Sequence, residues 1–211
     1  AQVAKLETAD MAKLGTAHIQ ALSTASVAAL TTDQFKNLST DQVNALTSSQ
    51  VKALTTDQLV ALSTDQAAKL TTAVVSSLTT AQVAKLETAD FAALSTSSIA
   101  NLTTAQVQAL TTDQLVALTT SQVSNLTSKQ IAAFTTAQLI KMATDDVKAI
   151  TSDQVDGLTT AQVAAFTVDQ LNVITTGQLS SFNTAQIVAL TTEQVDNLTS
   201  AQLASLSTLQ L

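Results

Sequence analysis

The chain has 211 residues with no Cys, Pro, Trp, Tyr or Arg, one His, and a net charge of -7 from nine basic and 16 acidic side chains. Lacking Cys, it has no disulfide, thiolate metal site or thiol nucleophile, and an acidic chain without Arg is poorly suited to nucleic acid or an anionic membrane surface. Apolar residues form 45% of it and aromatics only 2%, so any core is built of Ala, Val, Leu and Ile, and so narrow a composition points to one small unit copied many times.

In rows of eight, the chain aligns an unbroken apolar column from Leu6, Leu14 and Leu22 to Leu206, varied only by Phe134, Met142, Ile150, Phe166, Ile174 and Phe182. A second apolar column begins at Val3, Met11 and Ile19 and runs to Leu211, with Ala67 its smallest member. The consensus L-T-T-(D/A)-Q-V-x-A is plain in Leu46 to Ala53 and again in Leu110 to Ala117. The register never slips, so residues 1–211 read as a single octapeptide-repeat solenoid, a fragment of a longer array, with any targeting signal outside it. No apolar run is long enough to cross a membrane as a helix.

A straight helix is excluded by geometry. At about 100° per residue an eight-residue repeat advances its apolar stripe by about 80°, circling the helix within roughly five repeats, and heptad coiled coils drift far less. Strands are excluded because the apolar spacing alternates three and five, placing successive anchors on opposite faces. The chain must bend once per octad.

The bend is a helix start. In S/T-x-x-Q the first hydroxyl caps the amide three residues on, while Gln reaches back to the amide of the cap. The flanking apolar pair, such as Leu46 and Val51, forms the hydrophobic staple. Acids precede Gln at Asp33, Asp41, Asp57, Asp65, Asp113, Asp153, Asp169 and Glu193, where they face the positive end of the helix dipole.

Taken along the chain, four repeats open on a residue that caps poorly, Glu7, Gly15, Glu87 and Ala143, and all four lose the Gln as well, carrying Asp10, His18, Asp90 and Asp146. In these the cap is expected to move one residue on, to Thr8, Thr16, Thr88 and Thr144. The position after the Val column is the most variable and reads as solvent-facing; Asn44 lies there, and Asn44→Asp is expected to change little. The residue before Leu is usually small, which implies close approach of a neighbouring backbone.

A helix of about six residues is roughly 9 Å long and unstable alone, so its stability must come from stacking. The expected fold is all-α: an α-solenoid superhelix of very short helices, one per octad, with three or four octads per superhelical turn, forming a rod on the order of 60 to 90 Å long.

No residue is assigned a catalytic, cofactor-binding or metal-binding role, and no cofactor is expected. His18 stands at a Gln-type position without a partner for triad or ligand chemistry, and reads as a variant at a failed capping box. Asp145 and Asp146 point about 100° apart on a helix, which favours dipole complementation over a shared proton. The acidic column could gather Ca²⁺ on hard oxygen ligands, but Ala interrupts it. A Thr row at fixed intervals raises ice binding, for which only the second hydroxyl of each Thr pair is free.

The stretch L-T-T-D-Q-V-x-A-L resembles the opening of the repeats of TAL effectors, a likeness that stops after one octad, without the base-reading loop; it implies no DNA reading. The whole array resembles the octapeptide arrays of long secreted or surface-attached bacterial proteins of adhesin-like type. That resemblance implies an extracellular spacer or stalk whose partners are neighbouring repeats of its parent protein, with end-to-end self-association through uncapped ends. The alternative is a binding solenoid that recognises a peptide, glycan or protein through its groove or outer face.

Overall fold

The computed structural model describes residues 2–210. After a 3-10 turn at Gln2–Lys5, 25 α-helices of four to six residues follow one another from Thr8–Met11 to Ser200–Ala204, and no strand occurs among the described residues. The fold is the all-α solenoid that the period requires.

One repeat shows how eight residues encode the bend. Thr47 is extended (φ -68°, ψ 158°), its hydroxyl accepts from the Gln50 N–H, and the Gln50 side chain accepts from the Thr47 N–H at 2.8 Å. Helix Ser48–Lys52 follows, and Ala53 closes it at φ -85°, ψ -8°. The Leu54 N–H then bonds Val51 O at 3.1 Å, tightening the last turn, and Thr55 is extended again at φ -78°, ψ 158°. Boxes that combine Ser, Thr or Asn183 with Gln close in both directions, as at Thr31–Gln34, Asn183–Gln186 and Thr199–Gln202.

The four exceptional repeats behave otherwise than expected. Their helices begin at Thr8, Thr16, Thr88 and Thr144, so these threonines are first helical residues and not caps. Glu7, Gly15, Glu87 and Ala143 keep the cap position without a side-chain bond to the helix. The apolar columns explain why: Met11, Ile19, Phe91 and Val147 are at most 1% exposed. Starting the helix one residue later would turn each anchor by about 100° out of its seat.

Contacts group the chain into two compact units, Ala1–Leu110 and Thr111–Leu211. In the first, helix Thr64–Ala68 packs on Thr88–Ala93, and Ser48–Lys52 on Thr72–Ser77. In the second, Thr144–Ala149 packs on both Thr120–Ser124 and Val168–Val173. Each helix thus meets the one three octads on, so a superhelical turn takes between three and four repeats in either unit.

The two columns serve different neighbours. The Leu column is buried from Leu30 onward in the first unit but Leu6 is 42% exposed, with Leu14 and Leu22 half-buried. In the second unit the Val column is buried through Leu179, whereas Val195 and Leu203 are 43% and 41% exposed. The Leu column therefore packs toward the preceding turn and the Val column toward the following one.

Small residues before Leu do permit close approach. A Cβ on Gly157 would lie 2.7 Å from the Ser128 carbonyl oxygen, so this site tolerates only Gly. Asn44, by contrast, is not a free surface position: its amide donates to Lys69 O at 2.8 Å and accepts from the Thr71 N–H at 2.9 Å, one turn on. Aspartate would lose the donor and face that carbonyl with a charge, so Asn44→Asp is now expected to destabilise and not to be neutral.

Candidate functional site

The most regular chemistry in the molecule is a ladder of buried glutamines. Gln58 is 1% exposed, and its Oε1 accepts from the Thr55 N–H at 2.9 Å. Its Nε2 donates to Val27 O at 2.9 Å and Leu30 O at 2.8 Å, in a helix and the connection after it, 31 and 28 residues earlier. Gln162 repeats the arrangement on Ile131 O and Phe134 O, both at 2.8 Å, and Gln202 on Leu171 O and Ile174 O at 2.9 and 2.8 Å.

The receiving carbonyls belong to the end of a helix and to the connecting Leu, where the α-helical ladder has run out: the helix-end oxygen keeps one bond from the connecting residue's N–H, as Val27 O from Leu30, and the glutamine supplies a second donor there and one to the connecting carbonyl. Each glutamine amide thus caps the start of its own helix with its oxygen and satisfies the end of a helix one turn back with its nitrogen. Glutamate caps a helix start equally well, but its carboxylate has no proton to give two buried carbonyls. Sequence reasoning recognised the capping box and missed this second duty. The available signal was the choice of amide: 19 of the 26 fourth positions are Gln and none is Glu.

Where Gln is absent, the ladder is partly or wholly broken. Ser98 donates one bond, to Leu70 O at 3.1 Å, and Val74 is an apolar substitute 4% exposed. Asp90 is 2% exposed, with Oδ1 accepting from the Thr64 hydroxyl at 2.8 Å and Oδ2 buried without a partner. Burial raises its pKa, the Thr64 bond pulls it down, and the Glu87 charge raises it further. Asp146 is 5% exposed; burial and then the Asp145 charge push its carboxyl up to about 6. Asp146 is therefore more than a first-turn charge facing the dipole: it is a carboxylate held in a glutamine's place.

His18 does not simply fail at its box. Its Nδ1 accepts from the Gly15 N–H at 3.1 Å, which reproduces the return half of the box, while Gly15 has no side chain to supply the other half. Asp10, at the equivalent place one octad earlier, is exposed and pairs with Lys13 at 3.3 Å. Asp33, Asp41, Asp113 and Asp153 are likewise exposed. No group of three or more metal-ligating side chains and no pocket is found among the described residues, and no helix there is long and apolar enough to cross a membrane.

The ALTTAQ repeat matches residues 3–40, 36–72, 83–120, 139–176 and 171–208. The chain belongs to the ALTTAQ repeat family. Matched stretches hold a glutamine together with the two carbonyls it reaches, as Gln34 with Val3 and Leu6, Gln170 with Leu139 and Met142, and Gln202 with Leu171 and Ile174, so one rung of the ladder fits within the span of the family's pattern. No curated protein matches the chain.

Proposed function

We propose that this ALTTAQ array is a non-enzymatic structural module whose work is to provide length and spacing within a larger protein, as a stalk or spacer at a bacterial surface or in a secreted assembly. One observation carries the reading: the capping hydroxyl and the glutamine, the paired polar groups of 19 of the 26 boxes, are consumed within the stack, and the recurrent polar group left exposed is the small second hydroxyl of each pair. The capping hydroxyl binds its own helix, and the glutamine binds its own helix and the turn behind it. A chain that spends its repeated hydrogen-bonding groups on its neighbours is built to be extended by copying, with each turn adding rise and no new chemistry.

A binding role requires the array to break its own pattern at one place on its outer face. The apolar residues exposed at the variable position, Val60, Val116, Ile140 and Val188, are widely separated in sequence, include no aromatic, and are of the scattered kind ordinary on soluble surfaces. Net negative charge supports a surface that neither binds nucleic acid nor inserts into membranes.

The test is to delete or duplicate whole superhelical turns in the parent protein and measure the separation of its flanking segments by small-angle scattering or paired spin labels. A separation that changes in proportion to the turns added, with other activities retained, is expected. Loss of binding to a peptide, glycan or protein when one or two variable positions are substituted, at unchanged length, would overturn the spacer reading in favour of a recognition solenoid.

A further inference from the structure

Among the repeats that lack glutamine, two put a carboxyl in its buried place. Asp90 lies in helix Thr88–Ala93 and Asp146 in helix Thr144–Ala149, 2% and 5% exposed. Oδ1 of Asp90 accepts from the Thr64 hydroxyl at 2.8 Å, and Oδ2 is buried with no partner. Counted back by the 31 and 28 residues that each rung spans, the carbonyls assigned to Asp90 are Leu59 O and Leu62 O, and those assigned to Asp146 are Leu115 O and Leu118 O. Leu59 O and Leu115 O keep a bond from the Leu62 and Leu118 N–H, both at 3.2 Å, whereas no bond to Leu62 O or Leu118 O occurs among the described residues. An ionised carboxyl in this place sets acceptor against acceptor, while a protonated one carries an O–H donor.

The charges on the surrounding elements favour the proton. Around Asp90 they are Glu87 at the start of its own helix, and Asp65 with the following Lys69 on helix Thr64–Ala68, which packs on it; all three are exposed. Around Asp146 they are Asp145 and Lys148 on its own helix and Asp169 on helix Val168–Val173, also exposed, while helix Thr120–Ser124, which packs on it too, carries no titratable residue. Neither carboxyl has an ion pair among the described residues.

We propose that Asp90 and Asp146 are proton-operated fasteners: each carboxyl, on taking a proton from solvent, donates it to a backbone carbonyl of the preceding turn in place of the glutamine amide, and on losing it loosens that junction. The array thereby holds two joints that close in acid and open more readily at neutral pH, while junctions made by glutamine keep their donor throughout. The direction agrees with burial, which raises both carboxyls above the usual aspartate value of 3.8, Asp146 to about 6. A group so raised binds its proton more tightly folded than unfolded, so the fastening is complete below about pH 4 and is lost as pH rises through the folded value. The inference rests on the ladder and not on the spacer reading, and its failure would leave that reading untouched.

Two measurements on the unmodified chain test it. A carboxyl-carbon NMR titration should place the midpoints of Asp90 and Asp146 above 3.8. Backbone amide exchange, corrected for the intrinsic rate at each pH, should show protection of the Leu118 and Val147 N–H falling by up to about a hundredfold between about pH 4 and pH 7. Leu62 and Phe91 should fall in the same direction, and helix Thr160–Ala165, whose rung is Gln162, should stay constant. Asp146→Asn, of equal size with a permanent donor, should hold protection high across the range. Asp146→Val, which removes charge and donor together and puts there the residue type that Val74 already supplies in another repeat, should leave it constant but lower. Midpoints at 3.8, protection of the unmodified chain that does not change with pH, or a valine variant protected as well as the asparagine one would overturn the proposal.

Discussion

Two stretches of the molecule use the same local fold with and without the glutamine ladder. From Thr159 to Gln202, every box is a hydroxyl or Asn183 with Gln, and every Nε2 reaches carbonyls one turn back. Between Thr71 and Ser98 the boxes at Thr71/Val74, Glu87/Asp90 and Ser95/Ser98 lack the amide: Ser98 donates one bond across the turn, Asp90 accepts one from the Thr64 hydroxyl, Val74 makes none, and only Gln82 among the four boxes reaches more than one carbonyl. Yet the chain bends alike: Thr71 and Glu87 take φ -72°, ψ 156° and φ -59°, ψ 146°, close to φ -70°, ψ 159° at Thr175. Val75, Phe91 and Ile99 are as buried as Val163 and Leu171. The apolar columns set the bend and its register; the amide fastens turn to turn and removes the cost of burying helix-end carbonyls.

That division of labour ranks the substitutions. Leu102→Asp removes a column anchor that is 5% exposed and buries a charge, so it should cost about 4 kcal/mol or more and remove helical circular dichroism over a large part of the chain. Gln162→Glu keeps the bond to the Thr159 N–H but sets a carboxylate against the Ile131 and Phe134 carbonyls. It should cost about 3 kcal/mol in urea unfolding, more than Gln162→Ala, which loses the bonds without adding a charge. If the two variants were equally stable, the bridging role would fail and only the cap would remain.

A separate break in the ladder, at Asp146, can be repaired just as an intact rung can be broken. Asp146→Gln should restore donors toward the Leu115 and Leu118 carbonyls and raise stability by about 1 to 2 kcal/mol at neutral pH. The charge-linked part of that gain has a definite sign. The Asp146 carboxyl titrates near about 6 when folded and at 3.8 when free, so the folded state holds a proton that the unfolded state has lost between these values. The destabilisation due to Asp146 is absent below about pH 4, grows as pH rises through about 6, and is complete above it. A gain from Asp146→Gln that shrank at neutral pH and grew in acid would contradict this. The smallest effect is at Asn44, where Asn44→Asp should cost about 1 kcal/mol by losing the bond to Lys69 O, whereas Asn44→Gln probes whether length at that site matters.

Much of this architecture was legible in the sequence because it rests on spacing. Period eight excluded straight helices and strands, and the S-or-T, x, x, Q pattern placed the helix starts at Thr32, Thr40 and others like them to within a residue. Two features were misread where local chemistry was weighed without its neighbours. At Glu87 and Ala143 the capping preference argued for a shifted start, but the seats of Phe91 and Val147 outweigh one cap. At Asn44 variability suggested solvent, whereas the side chain bridges to Lys69 and Thr71, 25 and 27 residues away. The glutamine ladder was concealed for the same reason: a box of four residues reveals the oxygen's partner, while the nitrogen's partners lie 28 and 31 residues earlier and come within reach only once the turn closes.

The central claim is that the glutamine side-chain nitrogens are buried donors between turns, and hydrogen exchange of those side-chain amides in nitrogen-resolved NMR spectra reads it directly. The Gln58 and Gln162 side-chain amide protons should exchange far more slowly than those of the exposed Gln20, and a Gln162→Glu substitution should speed exchange of the amide protons of helix Ser128–Ala133 across the turn. Exchange at Gln58 and Gln162 as fast as at Gln20 would contradict the ladder and leave the glutamines as caps alone.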